Sequence, residues 1–222
     1  MDPDAVLFDL DFTLCKRCWL PESVLTDAFE AVGVTPYVTA ADMFAAAGEA
    51  GTAENDVEFY TLCLEAAARR VGVTPKRAAA VARSYHDAID YADVEFREGA
   101  KKVLRAIDTP IGLVTNGSEK TQRAKLAALG ITDAFDTLVF ADPENGVKPD
   151  PYPFERALSA LDVTPDSAVH IGDSLRADVA GANAMGIRSI WLPTNGANAG
   201  SDDPAPDHVL DSLVGLPDLL SN

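Results

Sequence analysis

The chain has 222 residues, 47% of them hydrophobic, and this content predicts a globular fold rather than disorder. Its formal net charge of −17 at pH 7 argues against nucleic acid and against an anionic membrane surface as partners, because both require basic patches. No apolar run approaches the roughly 20 residues that span a bilayer, and the acidic N-terminus lacks the features of a signal peptide. A cytoplasmic location is therefore expected, and the odd count of three cysteines fits a reducing compartment.

The negative charge also suggests a halophilic source. The 35 acidic residues outnumber the 18 basic ones, and a solvated acidic surface keeps a protein soluble when salt screens its charges. The alternative is an ordinary acidic cytosolic protein. Measuring the free energy of unfolding against KCl concentration decides between the two, since the halophilic hypothesis requires stabilisation at molar salt.

The first predicted strand ends in two carboxylates. Residues 5–8 are apolar, and Asp9 and Asp11 follow directly. The pattern predicts a buried strand of a parallel sheet, and ligands of such sheets bind at the carboxyl ends of the strands. Two anions in one small volume are costly unless a cation is added or one of them is protonated. The pair therefore indicates a divalent metal, acid–base chemistry, or both.

The next part of the chain differs in composition and periodicity. Residues from about 18 to 97 are rich in alanine and show helical periodicity, most strongly over 57–71 and 75–91. No strand is expected among them. The pattern predicts a helical insertion directly after the first strand, with the sheet resuming near residue 108.

The rest of the chain alternates strand-like and helix-like segments. Further strands are predicted at 111–115, 137–140, 167–171 and 189–192. Helices are predicted at 118–129 with Ser118 as N-cap, at 153–161, and from 174 through 184, followed by a surface loop over 193–206 and a short closing helix within 211–220. This alternation predicts a doubly wound, Rossmann-like α/β core formed by residues 1–16 and 98–222, with an all-α cap domain at 17–97.

Polar residues follow each of the central predicted strands. Thr115 and Asn116 end one, Lys148 follows the next, and Asp173 ends a third, with Asp178 five residues beyond it. If these strands are neighbours, their ends converge on one crevice. Carboxylates suit Mg²⁺, and a lysine, a hydroxyl and backbone N–H groups at turns favour a bound anion. Together they describe a phosphate site in which a carboxylate can act as nucleophile.

These motifs, in this order, resemble those of the haloacid dehalogenase superfamily, in its phosphatase branch. The segment 9–13 (DLDFT) matches the first motif, Thr115 closes the strand of the second, Lys148 carries the third, and the segment 172–178 matches the fourth. One departure concerns Phe12, because the family often has glycine at this position. The resemblance spans nearly the whole predicted core and implies a Rossmann-like fold with a cap.

The resemblance also implies a role for each matched residue. Asp9 would attack phosphorus and become phosphorylated. Asp11 would protonate the leaving oxygen and then activate the water that hydrolyses the acyl-phosphate. Thr115 and the backbone of Asn116 would hold phosphate oxygens, and Lys148 would neutralise and orient the nucleophile.

The implied cofactor is Mg²⁺. Its ligands would be Asp9, Asp173 and the main-chain carbonyl of Asp11. Asp178 is interpreted as an outer partner of metal-bound water or of Lys148, since such groups orient the ligands of a site. His170 lies within a predicted buried strand, and it is interpreted as a core residue and not as a catalyst.

The predicted function is a Mg²⁺-dependent phosphatase acting on a small phosphorylated metabolite, as a monomer or homodimer. A phosphosugar mutase on the same fold stays open, as does a phosphonatase, which needs a cap lysine such as Lys16 or Lys76. A 2-haloacid dehalogenase is less favoured, because family members of that type lack the second aspartate of the first motif, here Asp11. A non-catalytic binding protein is the remaining alternative.

Overall fold

The computed structural model describes residues 2–51, 53–142, 146–194 and 198–221. It divides into two compact units, a core unit of Met1–Arg17 with Val94–Asn222 and a helical unit of Cys18–Asp93. The sequence predicted the boundaries of the helical domain at residues 17 and 97, and those of the helical unit lie at Cys18 and Asp93. Among the described residues, no helix has both the length and the apolar character needed to cross a lipid bilayer.

Strands and helices alternate through the core unit, whereas the helical unit contains helices. In chain order, the strands are β1 (Ala5–Phe8), β2 (Cys15–Arg17), β3 (Val94–Phe96), β4 (Ile111–Asn116), β5 (Thr137–Ala141), β6 (Ala168–Gly172), β7 (Arg188–Trp191) and β8 (His208–Val209). The α-helices are α1 (Pro21–Ala31), α2 (Ala40–Ala45), α3 (Asp56–Arg70), α4 (Ala78–Ala88), α5 (Ala100–Ala106), α6 (Glu119–Leu129), α7 (Tyr152–Leu161), α8 (Ala180–Met185) and α9 (Leu216–Leu220). A π-helical turn, Leu175–Val179, precedes α8.

The main sheet of the core unit is parallel, with strand order β5-β4-β1-β6-β7-β8. Strand β1 is buried along its whole length and lies between β4 and β6. Side chains alternate along it: Val6 and Phe8 pack in one apolar cluster with residues of α5 and α6, and Leu7 packs in another with residues of α7. Helices therefore cover both faces, and the predicted doubly wound parallel sheet is confirmed.

One prediction for the segment 18–97 was wrong, because it contains a strand. Strand β3 pairs antiparallel with β2, placing Cys15 opposite Phe96 and Arg17 opposite Val94. Each strand of this ribbon has three residues, which is too short for an alternating pattern to be recognised from sequence. The chain leaves and re-enters the core unit through this ribbon.

The helical unit has its own apolar core. Its buried cluster is built largely from alanines around larger side chains, including Phe29, Met43, Leu64 and Tyr85. The predicted helices at 57–71 and 75–91 correspond to α3 and α4, whereas α1 and α2 were not predicted. Helix α2 has six residues and begins in a capping box formed by Thr39 and Asp42, so its signal is local and not periodic.

The C-terminal predictions agree with the described residues in outline. Within the predicted surface loop, residues 193–194 and 198–206 form neither helix nor strand, while 195–197 lie outside the described residues. The closing segment contains a 3-10 turn, Leu213–Gly215, and α9. Strand β8 was not predicted, since two residues carry no periodic pattern.

Candidate active site

Asp9 lies at the carboxyl end of β1, in the middle of the sheet. Its backbone N–H donates to the carbonyl of Ile171 at 2.9 Å, which continues the pairing with β6 one residue past the strand. The residue is only 5% exposed, and its Oδ1 atom lies 2.7 Å from Nζ of Lys148. The predicted nucleophile and the predicted lysine are thus in direct contact.

Lys148 is buried and surrounded by acceptors. Besides Asp9, its ammonium group donates to Oδ1 of Asp178 at 2.6 Å and to the carbonyl of Val114 at 2.7 Å. Burial by itself disfavours the ammonium, but the charges of Asp178 and Asp9 outweigh it and raise the pKa of Lys148. The side chain of Asn116 fixes the backbone of the lysine, since it donates to the carbonyl of Lys148 at 3.0 Å and accepts from its N–H at 2.8 Å.

Asp178 is held by three donors. Its Oδ1 atom accepts from Lys148 and from Nε2 of His170, the latter at 2.9 Å, and its Oδ2 atom accepts from the backbone N–H of Ser174 at 3.0 Å. Burial would raise the pKa of Asp178, but Lys148 and His170 reverse the effect and lower it. A Cβ atom at Gly172 would lie 2.1 Å from Cγ of Asp178, so the glycine of the fourth motif makes room for this carboxylate.

His170 is buried, as the sequence interpretation holds, and it also belongs to this polar network. Its ring meets Phe154 edge-on at 5.0 Å, and burial lowers its pKa despite the contact with Asp178. The neutral ring can donate a hydrogen bond from its Nε2–H group to the carboxylate of Asp178. The position of His170 within a buried strand gives no signal for its contact with Asp178. That contact depends on the π-helical turn that carries Asp178.

Asp173 lies at the end of β6 beside Asp9. One carboxylate oxygen each from Asp9, Asp173 and Asp178 lie within 4.8 Å of one another. Burial, followed by the charges of neighbouring carboxylates, raises the pKa of Asp173 to about 8, and burial raises that of Asp9 to about 7. Neither carboxylate is therefore adequately compensated by the protein alone.

The charges of these residues fit a divalent cation. The carboxylates of Asp9, Asp173 and Asp178 lie close together, but among the described residues Lys148 pairs with only two of them, Asp9 and Asp178. Asp173 has the more distant charge of Arg97 near it and no ion pair of its own among these residues, so negative charge is in excess at the site when all three are ionised. The oxygens of Asp178 are already engaged by three donors, so Asp9 and Asp173 are the better ligands. A set of hard oxygen donors with this charge is suited to Mg²⁺.

Asp11 leaves the strand end toward α6. Its carboxylate contacts Nζ of Lys125 at 2.6 and 2.8 Å, and its Oδ2 atom accepts from Nε2 of Gln122 at 3.0 Å. The same amide group lies 3.2 Å from the hydroxyl of Thr115, which is fully buried. Gln122 thereby joins the first and second predicted motifs, and the sequence analysis missed both it and Lys125.

A sequence signal for Gln122 and Lys125 exists in retrospect. They lie three residues apart on the helix that follows the second motif, so they share a face, and that helix begins at the active-site edge of the sheet. Ser118 caps the helix as predicted, with its hydroxyl 3.5 Å from the N–H of Thr121. Helix surfaces commonly carry lysine and glutamine, and this is why the two positions were not singled out.

The backbone conformation of Phe12 is one that favours glycine. Its backbone has φ of 60°, in the left-handed region that side chains other than glycine rarely adopt. Its carbonyl accepts from the guanidinium group of Arg97, which also contacts the carbonyl of Leu192 at 3.5 Å. The ring lies beneath the guanidinium of Arg17 at 5.0 Å. These contacts hold the turn that leaves the first motif.

We expect Mg²⁺ to stabilise the protein more strongly at pH 8 than at pH 6. The folded-state pKa values of about 7 for Asp9 and about 8 for Asp173 lie above the ordinary value of 3.8. The metal-free fold therefore loses stability as the pH rises from the ordinary pKa toward these raised values. Asp9 and Asp173 would bind the cation best once they are ionised. At 100 times its Kd, Mg²⁺ would add about 2.7 kcal/mol, or about 5–10 °C in melting temperature. Thermal denaturation in EDTA and in MgCl₂ at both pH values measures this.

Asp173→Asn is the matched variant for that experiment. It removes one ligand oxygen charge and one titrating group while preserving side-chain volume, so both the pH-dependent loss and the Mg²⁺ effect should shrink. A melting temperature at pH 8 that MgCl₂ leaves unchanged in the wild-type protein would contradict the metal site.

Comparisons with known proteins agree with this geometry. The family model described as haloacid dehalogenase-like hydrolase matches residues 6–192. A glyceraldehyde 3-phosphate phosphatase from Methanopyrus kandleri is 30% identical over 222 residues, which cover 93% of this chain and 92% of that protein. The chain spans about half the length of other curated phosphatases that it matches, among them one from Pyrococcus abyssi, 33% identical over 121 residues.

Solved structures share the fold over nearly the whole chain. A HAD phosphatase from Thermococcus onnurineus has a TM-score of 0.71 at 24% identity, covering 99% of this chain and 98% of that one. A 2-haloacid dehalogenase from Pseudomonas syringae has a TM-score of 0.66 at 26% identity, covering 100% and 99%. The fold is therefore compatible with both chemistries, and the site residues must discriminate between them.

Proposed function

Because this chain belongs to the haloacid dehalogenase-like hydrolase family, we propose that it is a Mg²⁺-dependent phosphatase acting through an aspartyl-phosphate. The observation that carries the proposal is the pair of carboxylates at the end of β1. Asp9 contacts Lys148, while Asp11 is turned toward a second set of donors on α6. The pair thus contains one carboxylate suited to attack and another available for proton transfer.

In the first half of the proposed reaction, Asp9 attacks the phosphate ester. Lys148 holds the Oδ1 atom of Asp9, whereas the Oδ2 atom of Asp9 makes no hydrogen bond within the described residues. We therefore assign Oδ2 of Asp9 as the oxygen that bonds to phosphorus. The bond from phosphorus to the leaving oxygen breaks as Asp11 gives its proton to that oxygen. The hydroxyl of Thr115 and backbone N–H groups near Asn116 would hold the other phosphate oxygens.

In the second half, water hydrolyses the aspartyl-phosphate. Asp11 takes a proton from the water while the water oxygen bonds to phosphorus. The bond between phosphorus and the carboxylate oxygen of Asp9 breaks, which returns the free carboxylate and releases phosphate. Mg²⁺, held by Asp9, Asp173 and the main-chain carbonyl of Asp11, would supply positive charge beside the phosphoryl oxygens. Asp178 would keep Lys148 in place throughout.

The substrate class follows from the relatives. Proteins named glyceraldehyde 3-phosphate phosphatase, ribulose-1,5-bisphosphate 5-phosphatase and N-acylneuraminate-9-phosphatase match this chain, which supports a small phosphorylated metabolite, with sugar phosphates as the leading group. We propose the helical unit as the cap domain of the protein. We keep a cytoplasmic location, a monomer or homodimer, and a halophilic source as part of the proposal.

Dehalogenation is the second candidate, because one solved relative of that name is 26% identical to this chain. Asp11 argues against it, since displacement of a halide needs no acid to protonate the leaving group. Phosphonatase chemistry is less favoured as well: Lys16 lies in the core unit, exposed and paired with Glu95 at 2.9 Å, which leaves Lys76 as the candidate from the helical unit.

A substrate panel with an Asp11→Asn variant tests the proposed function. We expect wild-type protein with MgCl₂ to release inorganic phosphate from p-nitrophenyl phosphate and from at least one sugar phosphate. Asp11→Asn should lower kcat for the sugar phosphate by about 10²–10⁴-fold, because an amide can neither give nor accept the proton. Colorimetric phosphate release measures both proteins.

The same panel separates the alternatives. Isomerisation of a sugar phosphate without net phosphate release would indicate a mutase. Chloride release from 2-chloropropionate that survives Asp11→Asn would indicate a dehalogenase. Absence of turnover on every compound would favour a binding protein. Lys120→Met, which alters an exposed side chain of α6, serves as a control with unchanged activity.

A further inference from the structure

Helix α6 supplies Asp11 with two partners that are largely buried. Lys125 contacts both carboxylate oxygens, at 2.8 and 2.6 Å, and its side chain is only 12% exposed. Gln122 is 1% exposed and reaches Oδ2 at 3.0 Å. An exposed ion pair would contribute little, but a lysine shielded to this degree keeps a defined geometry. The position of Asp11 in the site therefore depends on α6 as well as on its own strand.

The orientation of the Gln122 amide follows from its neighbours. Its Nε2 atom lies 3.0 Å from Oδ2 of Asp11 and 2.8 Å from the carbonyl of Asn116, both of which are acceptors. Turning the amide over would place Oε1 against these oxygens, so Nε2 must face them. The same Nε2 atom lies 3.2 Å from the hydroxyl oxygen of Thr115, which accepts from it. Because an amide nitrogen cannot accept, the hydroxyl proton of Thr115 is available to a phosphate oxygen.

Every one of these contacts to Asp11 comes from a donor. Lys125 and Gln122 donate to the carboxylate and cannot accept from it, so they fix Asp11 as an acceptor. This is the role that Asp11 has when water attacks the aspartyl-phosphate, and it is the opposite of its role toward the leaving alcohol. The geometry therefore favours one half of the proposed reaction.

We propose that Lys125 and Gln122 are positioning residues that hold Asp11 for the hydrolysis of the aspartyl-phosphate. In that step the water oxygen bonds to phosphorus, the water proton passes to Asp11, and the bond from phosphorus to Asp9 breaks. The proposal rests on the proposed phosphatase function. Its distinctive consequence is that loss of Lys125 slows the second half of the reaction more than the first.

Pre-steady-state kinetics with p-nitrophenyl phosphate test this, because its aryl oxide leaves without full protonation and the first half then needs little help from Asp11. We expect Lys125→Met to lower kcat by about 10- to 100-fold, with KM changed less than about threefold, since misplacing an acid–base group costs on this order. A burst of p-nitrophenolate approaching one equivalent per protein should precede the slow phase, and acid-quenched protein should retain covalent phosphate.

Three variants complete the experiment. Lys120 lies on the exposed face of the same helix, so the Lys120→Met variant should behave as wild type. Lys125→Arg keeps a cationic donor for the carboxylate and should therefore recover part of kcat and reduce the burst relative to Lys125→Met. Gln122→Met should show the same burst in weaker form, which keeps the proposal testable if Lys125→Met does not fold.

The failure of this proposal is distinct from that of the proposed function. Wild-type kcat in Lys125→Met, or a lower kcat without a burst or retained phosphate, overturns the positioning role while leaving the phosphatase intact. Absence of phosphate release from wild-type protein on every ester overturns the proposed function itself.

Discussion

The Asp9→Asn variant should release no measurable phosphate from any ester that the wild-type protein hydrolyses. Asparagine keeps the volume of the side chain but replaces the attacking oxygen with a weak nucleophile, so a loss of kcat on the order of 10⁴-fold or more is expected. No acyl-phosphate can form at residue 9. Phosphate release with p-nitrophenyl phosphate, combined with acid quenching to detect covalent phosphate, measures the effect.

The stability of this variant separates a catalytic loss from unfolding. Burial raises the pKa of Asp9 to about 7, so above this pH the folded protein keeps a carboxylate that burial disfavours. Replacing it with a neutral amide should leave the metal-free melting temperature at pH 8 equal or higher, because Lys148 keeps Asp178 as partner. Asp133→Asn, at an exposed aspartate of the core unit, is the matched control. Turnover that persists in Asp9→Asn would contradict the mechanism.

The sequence predicted the part of the fold that depends on long, regular patterns. The buried run of β1 and the alternation from residue 111 onward were sufficient for the parallel sheet, and the order of its strands brings the predicted residues Asp9, Lys148 and Asp173 to one edge. The ribbon of β2 and β3 was missed because three-residue strands carry no periodic signal. Their pairing is decided by contacts between segments distant in sequence.

The candidate site shows the same limit at the level of side chains. Residues at strand ends could be placed by topology, but partners that come from helix faces could not. Gln122 and Lys125 occupy positions where such side chains usually face solvent, and only the direction of α6 brings them to Asp11. Likewise, His170 gains its partner from the π-helical turn after β6.

Lys148→Met should both inactivate and strongly destabilise the protein. The ammonium group is the shared partner of Asp9 and Asp178 and is 4% exposed, so its removal leaves two buried carboxylates without their cation. Breaking a buried pair in this way costs about 3–5 kcal/mol. Chemical denaturation followed by circular dichroism measures the free energy of unfolding, and Lys102→Met, an exposed lysine of α5, is the control.

The pH dependence of this deficit identifies its cause. In the wild-type protein Lys148 and His170 lower the pKa of Asp178, so without the lysine that carboxyl group should take up a proton more readily. Protonation removes the uncompensated charge, and the deficit should therefore be smaller at pH 5 than at pH 8. Adding Asp178→Asn to Lys148→Met should recover part of the lost stability, because the double variant buries one charge fewer. A deficit that is equal at both pH values, and unchanged in the double variant, would mean that Lys148 acts through packing and not through charge.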